Sequence, residues 1–195
     1  QEVEDLEEEK IYSIRTYKLF EHKGNQHQVR LWKIHGDLDR IKSITLGYDQ
    51  YCGSLGKLTS YVKGTYTSSN PNAVSKPIKS MEEKCTSQKF DEISWIELFF
   101  RTNVYIVGFG LDFSEIDIWW LLNKRARLMC DISNCENKVT YLYNKDYETP
   151  LKNKGDSETT IEKKALFEAL KAFQVDCLPL DCSLSYVSSI FKAIK

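Results

Sequence analysis

Val104-Tyr105-Ile106-Val107-Gly108-Phe109-Gly110-Leu111 is followed closely by Ser114-Glu115-Ile116-Asp117-Ile118-Trp119-Trp120-Leu121-Leu122. Four β-branched or aromatic residues in a row, with no polar alternation, read as a strand buried on both faces, as in a parallel sheet. Gly108 and Gly110 punctuate it. Ser114 stands where a helix N-cap belongs, and the early acids Glu115 and Asp117 suit the positive end of a helix. Ile118, Leu121, Leu122 and Ala126 recur at helical spacing, and Lys124, Arg125 and Arg127 come later, where cations complement the helix dipole. Strand, glycine turn and helix together make the first half of a βαβ unit.

The flanking sequence extends this rhythm. Lys138 to Tyr143 reads as a strand, Glu158 to Phe173 as an amphipathic helix, Val175 to Leu178 as an extended piece and Ser183 to Ile194 as a closing helix. On the other side, Ile11 to Phe20 and Val29 to Ile34 read as two strands around a polar turn from Glu21 to His27. Ser43 to Leu46 is strand-like. Tyr51, Leu55, Leu58 and Val62 have helical spacing within Tyr48 to Val62, weakened by Gly53 and Gly56. Gly64 to Phe90 shows no periodicity and predicts a mobile loop over 65–90. Ser94 to Phe100 is a short apolar helix. Strands alternating with helices predict an α/β fold, a Rossmann-like parallel sheet with flanking helices, in a single domain over 1–195.

A chain of 195 residues with 42% hydrophobic and 28% charged side chains buries a core and is not intrinsically disordered. The formal net charge of -1 leaves no overall basic field for nucleic acid. No apolar run approaches the roughly 18 residues of a membrane span. Residues 1–10 form an acidic head, read as a solvated helix face or an interdomain segment. That head lacks the basic start and apolar middle of a signal peptide, so a cytoplasmic setting is expected. Of the six cysteines, Cys130 with Cys135 and Cys177 with Cys182 share one spacing. Four thiolates on zinc is one reading. Neither pair lies on the tight glycine turn of a zinc knuckle, and free, mostly buried thiols are the favoured alternative.

Chemistry is expected at two places. His35 follows a strand-like run and precedes Gly36 and Asp37, a position where an imidazole can act as general base and glycine permits a tight turn. The alternative is a histidine bonded to its own loop, with Asp37 capping a turn. Gly108-Phe109-Gly110 ends a strand just before a helix, an arrangement that gathers anions on outward-pointing N–H groups. Without a third glycine, a purely structural turn is the favoured alternative. Trp119 and Trp120 either stack on a base or divide between core and rim.

In this order the His35-Gly36 element, Ile44-Thr45-Leu46-Gly47-Tyr48, and the strand with Gly108-Phe109-Gly110-Leu111 and Asp117 resemble the bacterial sirtuin-like domain family. Members of that family include NAD⁺-consuming effectors of antiphage defence. The segment Val104 to Arg127 carries the most specific part, and the resemblance runs from Tyr12 to the C-terminus with Gly64 to Phe90 unmatched. It implies a sirtuin-like fold, NAD⁺ as the nucleotide ligand and a hydrolase reaction. His35 is then the catalytic histidine, acting as base on a ribose hydroxyl once the nicotinamide bond is attacked. Gly36, Gly108, Phe109 and Gly110 are then cofactor-binding, the last three on the adenosine side, and no metal is expected. The sequence departs from the family where Phe109 and Gly110 replace hydroxyl-bearing residues, leaving only backbone donors. No Gly-Ala-Gly-type phosphate loop and no Thr-x-Asn-Tyr-Asp-like segment precede His35, and the paired Cys-x2-Cys ribbon of the deacetylases is absent from the sequence. The expectation is therefore the C-terminal portion of a parent that binds or hydrolyses NAD⁺, weak or inactive by itself. The alternative is a non-catalytic interaction or regulatory module that retains the fold.

Overall fold

The computed structural model describes residues 2–3, 14–15, 17–21, 28–67, 78–90, 94–132, 137–145, 158–180 and 190. In chain order the elements are β1 (Glu2–Val3), β2 (Lys18–Glu21), β3 (Gln28–Leu31), a 3-10 turn at Ile41–Ser43, α1 (Tyr48–Lys63), α2 (Met81–Ser87) and α3 (Trp95–Arg101). They continue with β4 (Val104–Val107), α4 (Ile116–Asp131), β5 (Val139–Asn144), α5 (Glu158–Ala172) and β6 (Val175–Leu180). Most of the acidic head, the polar turn after Glu21, the closing helix apart from Ile190, and both Cys135 and Cys182 lie outside the described residues.

The predicted α/β layering is present. β4, β5 and β6 form a parallel sheet in that order, with Val104 beside Val139 and Val139 beside Val175. α4 connects β4 to β5 and α5 lies between β5 and β6, as parallel pairing requires. The arrangement is mixed α/β with a three-stranded parallel sheet and five α-helices among the described residues, compatible with a Rossmann-like fold. No helix among them is long and apolar enough to cross a membrane. β1, β2 and β3 form a separate antiparallel sheet, and the pairing of Lys18 with Leu31 and Phe20 with Val29 bears out the predicted strand pair.

Burial within the parallel sheet differs from the expectation. Val104 to Val107 is not covered on both faces: Tyr105 is exposed and its neighbours are half-buried. β5 takes that place, with Val139, Tyr141, Leu142 and Tyr143 all buried. The reason is position: β5 has a strand on each side, whereas β4 pairs with β5 alone among the described residues.

α4 buries Ile118, Leu121, Leu122 and Ala126, the stripe its spacing predicts. Its three basic residues do not serve the helix terminus, since none lies in the last turn. Arg125 is fully buried and donates through Nε to Asn137 Oδ1 at 3.0 Å, and also to the carbonyls of Asn137 and Gln174. Asn137 in turn donates to the Phe99 and Thr102 carbonyls at 2.8 and 2.9 Å, so one guanidinium joins α4 to the ends of α3 and α5.

Within the stretch read as a loop, Met81–Ser87 is helical. Its signal is local rather than periodic. Ser80 accepts from the Glu83 N–H while Glu83 accepts from the Ser80 N–H, a complete capping box. The short helix presents Met81 and Cys85 to the core and also buries Lys84. Lys84 pairs there with the fully buried Glu97 of α3, which accepts from the Tyr61 hydroxyl of α1 at 3.0 Å. Ser43 to Leu46 is not a strand: it leaves the Ile41–Ser43 turn as irregular chain. One continuous core runs through all of this, from Ile14 and Leu58 to Leu121, Tyr141 and Val175.

Candidate functional site

His35 lies in the turn after β3, held by backbone bonds on both sides. Gly36 N–H donates to the Lys33 carbonyl at 3.1 Å, and Thr45 N–H donates to the His35 carbonyl at 2.9 Å. Gly36 has φ +102°, and a Cβ there would stand 2.4 Å from the Ser43 carbonyl oxygen and 2.5 Å from Ile44 Cα. The close approach that this glycine permits is therefore made by the chain's own backbone. Asp37 accepts an ion pair from Lys33 at 2.7 Å and another from Lys18 of β2 at 3.5 Å. The Lys33 ammonium, then the Asp39 N–H, hold its carboxyl down to about 2.

The turn brings the imidazole against the start of α4. His35 Nε2 lies 2.9 Å from Asp117 Oδ2, and Nδ1 lies 3.8 Å from Glu115 Oε2. His35 and Asp117 are 82 residues apart in the chain. Tyr51 of α1 places its ring edge-on to the imidazole at 5.6 Å. The hydrogen bond to Asp117 raises the His35 pKa above 6.5, partial burial opposes the rise, and the charges of Asp117 and Glu115 add to it. Burial raises the Tyr51 phenol, with the same two carboxylates contributing.

Asp117 itself is fixed. Its other oxygen, Oδ1, accepts the Ile118 N–H at 2.9 Å, so Oδ2 is aimed at the ring. Glu115 is the N-cap residue of α4 but caps nothing with its side chain, and Ser114 does not cap the helix as its position suggested. Instead the Ser114 N–H donates to Asp112 Oδ1 at 2.9 Å. Glu115 Oε2 is buried and has no hydrogen-bond partner among the described residues, 3.8 Å to Nδ1 being too long for one. His35, Glu115 and Asp117 thus bring three potential ligand atoms within 4.8 Å of one another. Glu115 and Asp117 read from sequence as acids suited to a helix end. Nothing in the spacing links them to His35, because the link is made by the fold.

Gly108, Phe109 and Gly110 lie at the carboxyl end of β4, where open α/β sheets place their ligand crevices. They line a cavity of about 270 Å³ together with Tyr141, Leu142, Tyr143 and Asn144 at the end of β5. Gly108 has φ +65°, a conformation that glycine adopts without cost, and a Cβ on Gly110 would meet nothing within 4 Å. Trp119 already has partners: it stacks on Phe113 at 5.8 Å and donates from Nε1 to the Asp112 carbonyl. Both tryptophans of the pair are half-buried against the core rim. Compared with known proteins, the chain matches no family model, no curated protein and no solved structure.

Proposed function

We propose that this chain is a sirtuin-like domain that binds or hydrolyses NAD⁺, with His35 as general base at the nicotinamide glycosidic bond. The observation that supports this most is the bond from His35 to Asp117, which joins the His-Gly turn to the segment after Gly108-Phe109-Gly110. A carboxylate holding one imidazole nitrogen orients the ring and stabilises the cation formed when the other nitrogen takes a proton. In this reading the proton comes from a ribose hydroxyl, and Tyr51 packs in a T-shaped contact with the imidazole.

The cavity beside Gly108 is smaller than the roughly 300–1,000 Å³ of a pocket for a drug-sized ligand. It suits one end of a dinucleotide. Its lining brings together the aromatic residues Phe109, Tyr141 and Tyr143, the amide residue Asn144 and the bare backbone of two glycines, residue types that suit a base and a ribose. Gly108 to Gly110 of the cavity and the start of α4 both follow β4 in the chain, which in this reading supplies supports for the two ends of one ligand.

The test is nicotinamide release from NAD⁺, measured for the 195-residue chain. Release that His35→Ala reduces roughly 10²–10⁴-fold supports the reading. Full activity in that variant sinks it. One observation favours the module reading instead. Leu38, Ile41, Leu46 and Tyr48, around the His35 turn, are 85%, 78%, 72% and 75% exposed, more apolar surface than a catalytic loop needs. If the chain does not bind NAD⁺ by calorimetry, the module reading leads.

A further inference from the structure

We propose that His35, Glu115 and Asp117 form a site for a divalent first-row metal ion, with Mn²⁺ as its representative. One imidazole and two carboxylates make a mixed nitrogen and oxygen donor set, suited to Mn²⁺, Fe²⁺, Co²⁺ or Zn²⁺ rather than to a soft ion. The three ligand atoms lie within 4.8 Å of one another and come from two places far apart in the chain, the turn after β3 and the start of α4. The distance between His35 Nε2 and Asp117 Oδ2 is that of adjacent ligands on one ion, reached with a small turn of either side chain. Adjacent ligands about 2.1 Å from an octahedral ion lie about 3 Å apart, and Nε2 to Oδ2 is 2.9 Å. An ion there takes the place of the proton that now joins those two atoms.

Glu115 supplies the independent observation. Its Oε2 is buried with no hydrogen-bond partner, on a residue whose side chain meets His35 as its ionic partner among the described residues. A buried carboxylate oxygen left in that state is costly, and a cation would satisfy it. Asp117 is prepared in the complementary way, because the Ile118 N–H holds Oδ1 and leaves Oδ2 to point inward. Ligands oriented by such outer bonds are the mark of a built site. The site uses the same imidazole as the proposed base, so an ion bound there occupies His35 and stops its proton transfer. That consequence rests on the NAD⁺ reading; the site itself does not.

The test is a titration of the metal-free 195-residue protein with Mn²⁺ alone, free ion being followed by electron paramagnetic resonance. Mn²⁺ discriminates against the cysteines, which prefer softer ions. One ion per chain is expected, with affinity at least about tenfold weaker in both His35→Ala and Glu115→Gln. Asp131→Asn, an exposed carboxylate at the far end of α4, leaves affinity unchanged. In the unaltered protein, bound Mn²⁺ broadens the His35 ring resonances before those of any other histidine, a readout that needs no variant to fold. No binding, or equal binding by both variants with His35 unbroadened, overturns the proposal. Because no nucleotide is present in this titration, Mn²⁺ binding by a protein that in its metal-free form releases no nicotinamide counts against the NAD⁺ reading alone.

Discussion

His35 and Gly36 are neighbours with opposite dependences. The histidine is defined by what lies far away in the chain, the glycine by backbone close at hand. Because Asp117 raises the His35 pKa, the histidine contributes stability that is complete below 6.5 and lost as pH rises through its raised value. Titration of the His35 ring by NMR is expected to show a midpoint above 6.5, and Asp117→Asn to bring it down. A midpoint unmoved by that substitution would contradict the assigned bond. Gly36→Ala faces both a left-handed φ and a Cβ inside the contact distance of the Ser43 backbone. It is expected to destabilise the protein by at least about 2 kcal/mol in urea unfolding. Gly110→Ala, where nothing lies within 4 Å, serves as the mild comparison.

Among the elements, α2 shows how a short helix survives without a periodic pattern. Seven residues are too few to be helical alone, so the capping box and burial must sustain it. Ser80→Ala is expected to cost about 1 kcal/mol. Lys84→Met costs more, about 3–5 kcal/mol, because it takes the ammonium away from a Glu97 carboxylate that stays in the core beside the uncharged Tyr61 hydroxyl. Lys84→Met combined with Glu97→Leu is expected to recover part of that loss. Thermal unfolding of the three variants checks the order, and a double variant less stable than Lys84→Met would refute it. The sequence of α2 contains its cap in plain view, Ser80 with Glu83, yet its buried lysine has no place in an apolar pattern. That lysine is acceptable only because α3 carries Glu97 to meet it.

At the scale of the molecule, the two sheets are joined through the His35 turn. Lys18 of β2 and Lys33 both reach Asp37, and His35 reaches α4. The depressed Asp37 pKa means that its contribution is present above about 3.8 and is lost as pH falls toward 2. Acid unfolding followed by circular dichroism is expected to begin in that interval, and Asp37→Asn to flatten the limb. Both lysines are about a third exposed, so the difference is small and shrinks in roughly 1 M salt. A salt-independent difference would place its origin elsewhere.

The sequence by itself determined the local layout: the β4–α4–β5 unit, the short apolar helix α3, the apolar stripe of α4 and the strand pair of β2 and β3. Each follows from residue patterns within a few positions, forces that act along the chain. It also marked His35 and Gly108 to Gly110 as places where backbone and imidazole are open to chemistry. Tertiary structure alone decided the rest. β5 rather than β4 became the covered strand, since coverage depends on how many strands flank it. Arg125 became an internal latch because Asn137 and the Gln174 carbonyl were there to accept its N–H groups. Glu115 and Asp117 became partners of His35 because folding brings the start of α4 against the turn after β3. Contacts of that kind depend on proximity in space, which short-range residue patterns do not encode.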